Sequence, residues 1–505
     1  MCSLSKKVKM NHIKHFSGNV LIFIAAIFFI GCKEAVYENI VSTGREPVIE
    51  PDYSGVTIPK NIAPMNFSIL EDGESFAINV VSSSGSGFTL ESSDGIVQFP
   101  LKAWKKLLAQ IEGERIKIEV ISEDKDKKHQ KYDPVYMNVA DESMDPYLCY
   151  RLLYPAYESW VGMKIVQRST EDFRESSLFE NQLLNDNCVN CHSFMQNQPD
   201  RFLLHVRGSL GGTYFFNGEK IIRTALRTDH MPANAVYPSW HPSGQYVAFS
   251  SNKTVQSFHM HTDKNIEVTD MYSSMFLYDV EKNGMSGFPK DDTIKYMETY
   301  PCWSPEGDYL YYCRTIQVKE GYDFKGVKYD LIRRSFDPVS SLFGKAELVF
   351  NAAEKNKSVS FPSISPDGKS LVFTLHDYGT FSIWHKEADL YLINLKNGEA
   401  VKMGINSNET ESWHSWSSSG KWIVFSSKRE DGLTARPYFA YFASPDSVGK
   451  PFVLPQKDPT LYKRLEKTFN RPELVTGRVK TGPEDFMKAS KQDPLKAIWI
   501  GNKDE

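Results

Sequence analysis

The chain has 505 residues, 41% of them hydrophobic and 24% charged, with a formal net charge of −4. That is apolar material for more than one packed core, and the slightly acidic balance excludes nucleic acid and anionic lipid surfaces as partners, since both need a basic footprint. Seven cysteines in so long a chain do not make a disulfide framework.

The first segment reads as an export signal. Lys6, Lys7, Lys9 and Lys14 precede an apolar run from Val20 to Ile30, and Phe29-Ile30-Gly31-Cys32 follows. Eleven apolar residues are too few to span a bilayer, which needs about 20. The run resembles a bacterial lipoprotein signal, which implies cleavage before Cys32 and a lipid anchor on that cysteine. Residues 1–31 are then the signal and 32–52 a tether, and loss of the four lysines brings the charge to −8. The expected location is the cell envelope, on the outer membrane; Lys33-Glu34 leaves the periplasmic and surface sides both open.

Residues 53–135 predict a β-rich accessory domain. Asn66-Phe67-Ser68-Ile69 and Ile116-Lys117-Ile118-Glu119-Val120-Ile121 alternate apolar and polar, and Ser82 to Gly87 is a loop signal. One helix fits between Pro100 and Gly113, with Leu101, Trp104, Leu107, Leu108 and Ile111 at helical spacing. The charged run 123–128 reads as a solvated loop.

The most informative run follows at Cys188-Val189-Asn190-Cys191-His192. Cys-x-x-Cys-His is the spacing at which two thiols bond covalently to the two vinyl groups along one edge of a haem while the histidine ligates its iron. The expectation is one haem c, with Cys188 and Cys191 as its attachment points and His192 as proximal ligand. Two thiols and an imidazole would also serve in a plain disulfide or half a zinc site. Cys149, Cys302 and Cys313 remain, enough for at most one intrachain bridge.

Beyond the motif, a strand–turn–strand unit recurs four times. Tyr237-Pro238-Ser239-Trp240 leads through His241-Pro242-Ser243-Gly244 to Tyr246-Val247-Ala248-Phe249. Tyr300-Pro301-Cys302-Trp303, Phe361-Pro362-Ser363-Ile364 and Trp413-His414-Ser415-Trp416 open the other copies, with turns ending at Gly307, Gly368 and Gly420. Ser-Pro-Asp-Gly suits a type I turn, with proline presetting the first central φ and glycine taking the exit, so each copy is a hairpin. The turn glycines lie 63, 61 and 52 residues apart, close to one four-stranded propeller blade with insertions. A degenerate copy at 188–230 and a strand-rich stretch at 147–175 bring the expected count to six blades, seven if the terminal segments close the ring. The propeller is placed at 136–455 and a Lys-rich, irregular tail at 456–505.

These units resemble the PD40 repeats of TolB-like β-propellers. Asp145-Pro146-Tyr147, Tyr150-Arg151-Leu152, the run from Asn187 to Phe194, and His205-Val206-Arg207-Gly208 with Gly211-Gly212-Thr213 resemble a Bacteroidetes family of propeller lipoproteins carrying one Cys-x-x-Cys-His. The resemblance implies an all-β, TolB-like propeller and a recurring histidine at the His259 and His205 positions; it imports no activity. His259, in a long insertion, is the first candidate for a distal haem ligand and His205 the second. His241 is assigned to turn capping and the tryptophans to packing between blades. No Gly-x-Ser-x-Gly elbow, His-Glu-x-x-His or phosphate loop is present, so the chain reads as a non-enzyme unless catalysis runs on the haem. Three functions compete: electron transfer or redox sensing with a protein partner on the propeller face, a haem-independent interaction scaffold, and a haem enzyme with an open distal site.

Overall fold

The structure, a computed structural model, describes residues 40–502 apart from 112, 156–161, 260–263, 265, 291–293 and 320. The export signal and Cys32 lie outside the described residues, as does the side chain of Cys191. The fold is all-β. Residues 147–502 build six antiparallel sheets, each of four or five strands, with short parallel additions at two outer edges.

The four sequence repeats form as hairpins. In each, the turn glycine donates back to the residue three before it: Gly244 to His241 O (2.8 Å), Gly307 to Ser304 O (2.9 Å), Gly368 to Ser365 O (2.8 Å) and Gly420 to Ser417 O (2.9 Å). The strands after these turns, such as Ser370–His376 and Trp422–Ser427, are buried at every position because sheets stack on both faces, so apolar residues alternate with Ser and Thr that pair sideways. Ser382 Oγ, for example, bonds Ser360 Oγ at 2.9 Å and Ser412 Oγ at 2.8 Å.

The first strands of successive sheets touch in a closed cycle around a channel, the arrangement of a β-propeller. Trp240 Nε1 donates to Ser193 O (3.2 Å), Trp303 N to Ser239 Oγ (3.2 Å) and Trp416 Nε1 to Ser363 O (3.2 Å). The Tyr300 and Phe361 rings stand 4.1 Å apart between the fourth and fifth sheets. Ser415 Oγ donates to Pro472 O (2.8 Å), and Phe194 N to Glu473 Oε2 (3.1 Å), which closes the cycle. Closure comes from the C-terminal region: Thr468–Val475 is the innermost strand of the first sheet, beside Tyr147–Leu153. Leu495–Lys496 and Ile498–Asn502 then lie along the outer edges of the second and third sheets.

Residues 40–140 form a seven-stranded sheet, a second sheet of three short strands and a helix, Leu101–Leu108. Ser75–Ser82 and Arg115–Glu123 bury alternate residues, as half-covered strands do. Trp104 is fully buried, and its Nε1 donates to Ile62 O (3.0 Å). This part shares a core with the sixth sheet and is pinned to it by Tyr53 on Val453 O (3.4 Å) and by Lys450 Nζ on Asp52 Oδ2 (2.7 Å). Cys149, Cys302 and Cys313 are free thiols, each pushed up in pKa by burial, Cys302 to about 12.

Candidate site at the channel mouth

Five of the six inner strands kink at the same place. Tyr237, Tyr300, Phe361, Trp413 and Arg471 all have left-handed backbone (φ 44 to 55°), and pairing shifts register around the first four. In the second sheet Phe194 matches Trp240, so counting back puts Cys191 at the register position of Tyr237; there the irregularity falls one residue earlier, between Val189 and Cys191. The motif therefore lies along the innermost strand, Val189–Phe194, where its neighbours present an aromatic cluster at the channel.

Above this cluster is an open cavity of about 1590 Å³, counting its solvent-open part. Cys188, Asn190, Arg207 and Asp186 wall it from the second sheet, Arg151 and Arg471 from the first, and Phe381, Trp384, Trp413 and Lys428 from the fifth and sixth. The approach to Cys188 is tight. Asn185 and Asp186 have φ of 51° and 54°, and Asn187 packs on Gly208 (φ 103°), where a Cβ would lie 1.7 Å from Asn187 Oδ1. Arg151 Nη1 donates to Val189 O (3.1 Å) and Asn190 O (2.7 Å), stapling the motif strand to the first sheet. The Asn190 amide, with its oxygen toward Arg207, accepts from both Nη2 (2.6 Å) and Nε (2.7 Å).

The motif's histidine faces elsewhere. His192 pairs with Leu204 across the strand and is 1% exposed, packed between the first and second sheets. Neither ring nitrogen has a hydrogen bond. Burial, with the Arg471 and Arg151 guanidinia beside it, pushes its pKa down to about 3, so the ring is neutral. His205 pairs with Cys191 and follows Leu203 and Leu204 along its strand; Leu204 packs with the His192 side and Leu203 with the third sheet. His192 and His205 thus stand on opposite faces of one sheet. His205 is buried, its Nδ1 3.3 Å from Thr213 Oγ1 and its pKa pushed down to about 3 by burial. His259 is exposed at the end of a long hairpin. The structure does not bring either to His192. His241 caps its turn, with Nδ1 2.8 Å from Ser243 Oγ, and also reaches Gly307 O (3.1 Å) in the next sheet.

That hairpin, Tyr246–Phe258 with Ile266–Asp279, overhangs the cavity and lines it with Gln256, Phe258, Ile266 and Val268. Thr380 Oγ1 donates to both Asp270 oxygens (2.9 and 3.1 Å), and Tyr378 donates to Glu267 (2.8 Å), so the hairpin is tied to the fifth sheet. Burial raises the Asp270 pKa to about 7.

Sequence reasoning missed Arg151, Arg207, Trp384 and Lys428. Lys428-Arg429-Glu430-Asp431 looks like an ordinary charged loop, and no spacing marks the lysine as buried. It is 4% exposed, with Nζ 3.8 Å above the Trp384 ring, and burial pushes its pKa down to about 7.

The cavity and the Cys188 thiol suit a flat, largely apolar group attached at one edge. The imidazole does not, as it stands: successive residues of an extended strand point to opposite faces, and His192 is turned away from the cavity. Iron ligation by His192 requires residues 188–192 to leave the strand. Among the described residues no three of His, Cys, Asp and Glu gather as a metal site.

No family model matches the chain, and no curated protein matches it. Among solved structures it is similar to a chain of a nidogen/laminin complex (6% identity, TM-score 0.37, 65% of this chain and 99% of that one). It is also similar to Kuenenia stuttgartiensis hydrazine synthase (14% identity, TM-score 0.30, 51% and 64%). A third likeness is to the Cps50 (Swd1) β-propeller domain of Myceliophteria thermophila (9% identity, TM-score 0.32, 72% and 96%).

Proposed function

We propose that the chain is a lipid-anchored envelope protein, held by Cys32, whose six-bladed TolB-like propeller carries one haem c at its channel mouth and serves electron transfer or redox sensing with a protein partner. In this reading residues 40–140 are an accessory module braced on the sixth blade. One observation carries it: Cys-x-x-Cys-His runs along an innermost strand, and Cys188 opens into a cavity walled by aromatic and cationic side chains. A haem held there by Cys188 and Cys191, with His192 on the iron, would supply a one-electron couple. The chain's own part is to exclude water with the overhanging hairpin and to hold the approach strand with Arg151 and Arg207.

The inward burial of His192 favours a second reading, in which the propeller is a scaffold and the motif carries no haem. A pyridine haemochrome spectrum of protein expressed with its signal in a host that matures c-type cytochromes separates the two. The expected result is an α-band of covalent haem c that disappears in Cys188→Ser/Cys191→Ser. Folded wild-type protein without haem would sink the redox reading and leave the scaffold.

A further inference from the structure

The hairpin over the mouth has two halves, held differently. Residues 246–251 and 276–279 pair on both sides within the third sheet. Pairing then shifts register between Lys253 and Thr254, and 254–258 with 266–270 run on paired only to each other. A register break of this kind lets a ribbon bend. The outer half therefore owes its position over the cavity to contacts with another sheet.

Those contacts centre on one charged cluster of the fifth sheet. Lys264 Nζ lies 3.0 Å from Glu267 Oε1, 2.9 Å from the Tyr378 hydroxyl and 3.2 Å from His385 Nε2. Tyr378 donates to Glu267 Oε2 (2.8 Å), and His385 Nδ1 stands 2.9 Å from Glu387 Oε1. An ammonium has only donors, so Nε2 presents its lone pair to Lys264 and the ring proton sits on Nδ1, facing Glu387. This contact needs a neutral ring: a second proton would put an N–H and a positive charge 3.2 Å from Nζ. The remaining groups that face His385 are His376, with rings 4.8 Å apart, and Tyr378 at 4.6 Å; burial pushes the His376 pKa well below its ordinary value. Burial raises Glu387, but its bond to His385 outweighs this and brings it down to about 2, so it stays a carboxylate and would retain the imidazolium. Lys264 is then the side that yields. We propose that His385 is the pH-sensitive catch of a lid: while it is neutral the outer hairpin stays shut over the cavity, and on its protonation Lys264 lets go and the hairpin swings about the break at Lys253 and Thr254. Histidine changes charge between pH 5 and 8 as no other side chain ordinarily does. The inference goes beyond the haem reading and holds for any occupant of the cavity.

The test is a distance measurement. Val255→Cys on the hairpin and Val401→Cys on the edge strand of the fifth sheet, both exposed, carry nitroxide labels in the full chain with Cys188, Cys191 and Cys302 changed to serine; Cys149 and Cys313 are buried. Pulsed electron spin resonance at pH 8 is expected to give one distance, and at pH 5 a second, longer one whose share rises about tenfold from a minor population. His385→Gln keeps an acceptor and a donor but takes no charge, and should stay shut at both pH values; Lys264→Met should lose the pH dependence. Equal distributions at the two pH values in the labelled parent, or a pH dependence that survives in either variant, overturns the catch. A longer distance that appears as pH rises also overturns it and points to Asp270, which gains charge in that direction on the same hairpin. Opening accompanied by loss of the near-ultraviolet circular dichroism is unfolding and likewise counts against it.

Discussion

At Asp270 the fold buries an acid that it holds protonated up to about neutral pH. The carboxyl is buried under the hairpin on Thr380, and its pKa rises from 3.8 to about 7. A carboxyl raised on folding binds more protons in the folded state, so its contribution is present below pH 3.8 and is lost as pH climbs toward 7. Asp270→Asn is therefore expected to be more stable than wild type at pH 8, on the order of 2–4 kcal/mol, and to lose that advantage near pH 4, measured by urea unfolding at the two values. His205 and His414 have the opposite sign. Burial lowers them from 6.5 to about 3 and about 4, so the unfolded chain binds more protons between those values and 6.5, and stability falls as pH drops through that window. Because Asp270 offsets part of this fall, the Asn variant should also show steeper acid unfolding. Gly307 is a backbone case: at φ 78°, a Cβ there would lie 2.2 Å from His241 Nε2. Gly307→Ala should cost about 2 kcal/mol or more in chemical unfolding, from strain and from the lost cap between sheets.

Among the elements, the hairpin over the mouth shows what sequence patterning could and could not convey. Its strands are long, 13 and 14 residues with one register shift between Lys253 and Thr254, but Thr254, Gln256 and Phe258 line a cavity while their neighbours face solvent, and that choice depends on the fifth sheet beneath. Replacing residues 254–268 with an Asn-Gly turn should make Cys188 in a Cys191→Ser background react several-fold faster with a thiol reagent, since Phe258, Ile266 and Val268 then no longer cover it. An unchanged rate would mean that the hairpin does not gate the site. The repeat hairpins, by contrast, were legible to the residue, because proline and glycine constrain φ locally. The helix expected over 100–113 forms over Leu101–Leu108 and buries Trp104, Leu107 and Leu108 where the periodicity placed them, whereas Leu101 is exposed and Ile111 lies beyond its end.

For the whole molecule, closure is decided by one late strand. Thr468–Val475 buries Phe469 and Leu474 in the core shared with the sixth sheet and Val475 in the core shared with the second. At about 1.5–3 kcal/mol per fully buried side chain, these three account for roughly 5–9 kcal/mol, comparable to the net stability of an ordinary domain. A chain ending at residue 466 should therefore lose cooperative thermal unfolding and bind a hydrophobic dye, and a peptide covering 467–505 added in trans should restore at least part of the transition. Retained cooperative melting without the peptide would mean that the ring does not depend on this strand.

What the sequence determined by itself is local. Turn glycines and prolines, the period between them, the alternation of strands and the thiol spacing at 188–192 are properties of short segments, and short segments carry their own backbone preferences. The tertiary structure alone decided the rest: that an irregular tail supplies the inner strand of the first sheet, that His192 and His205 face opposite sides of one sheet, and that Lys428 is buried over Trp384. These depend on which surfaces a strand meets after closure of the ring. Burial of a charge or an imidazole is set by neighbours 40 to 300 residues away, and no local preference encodes them.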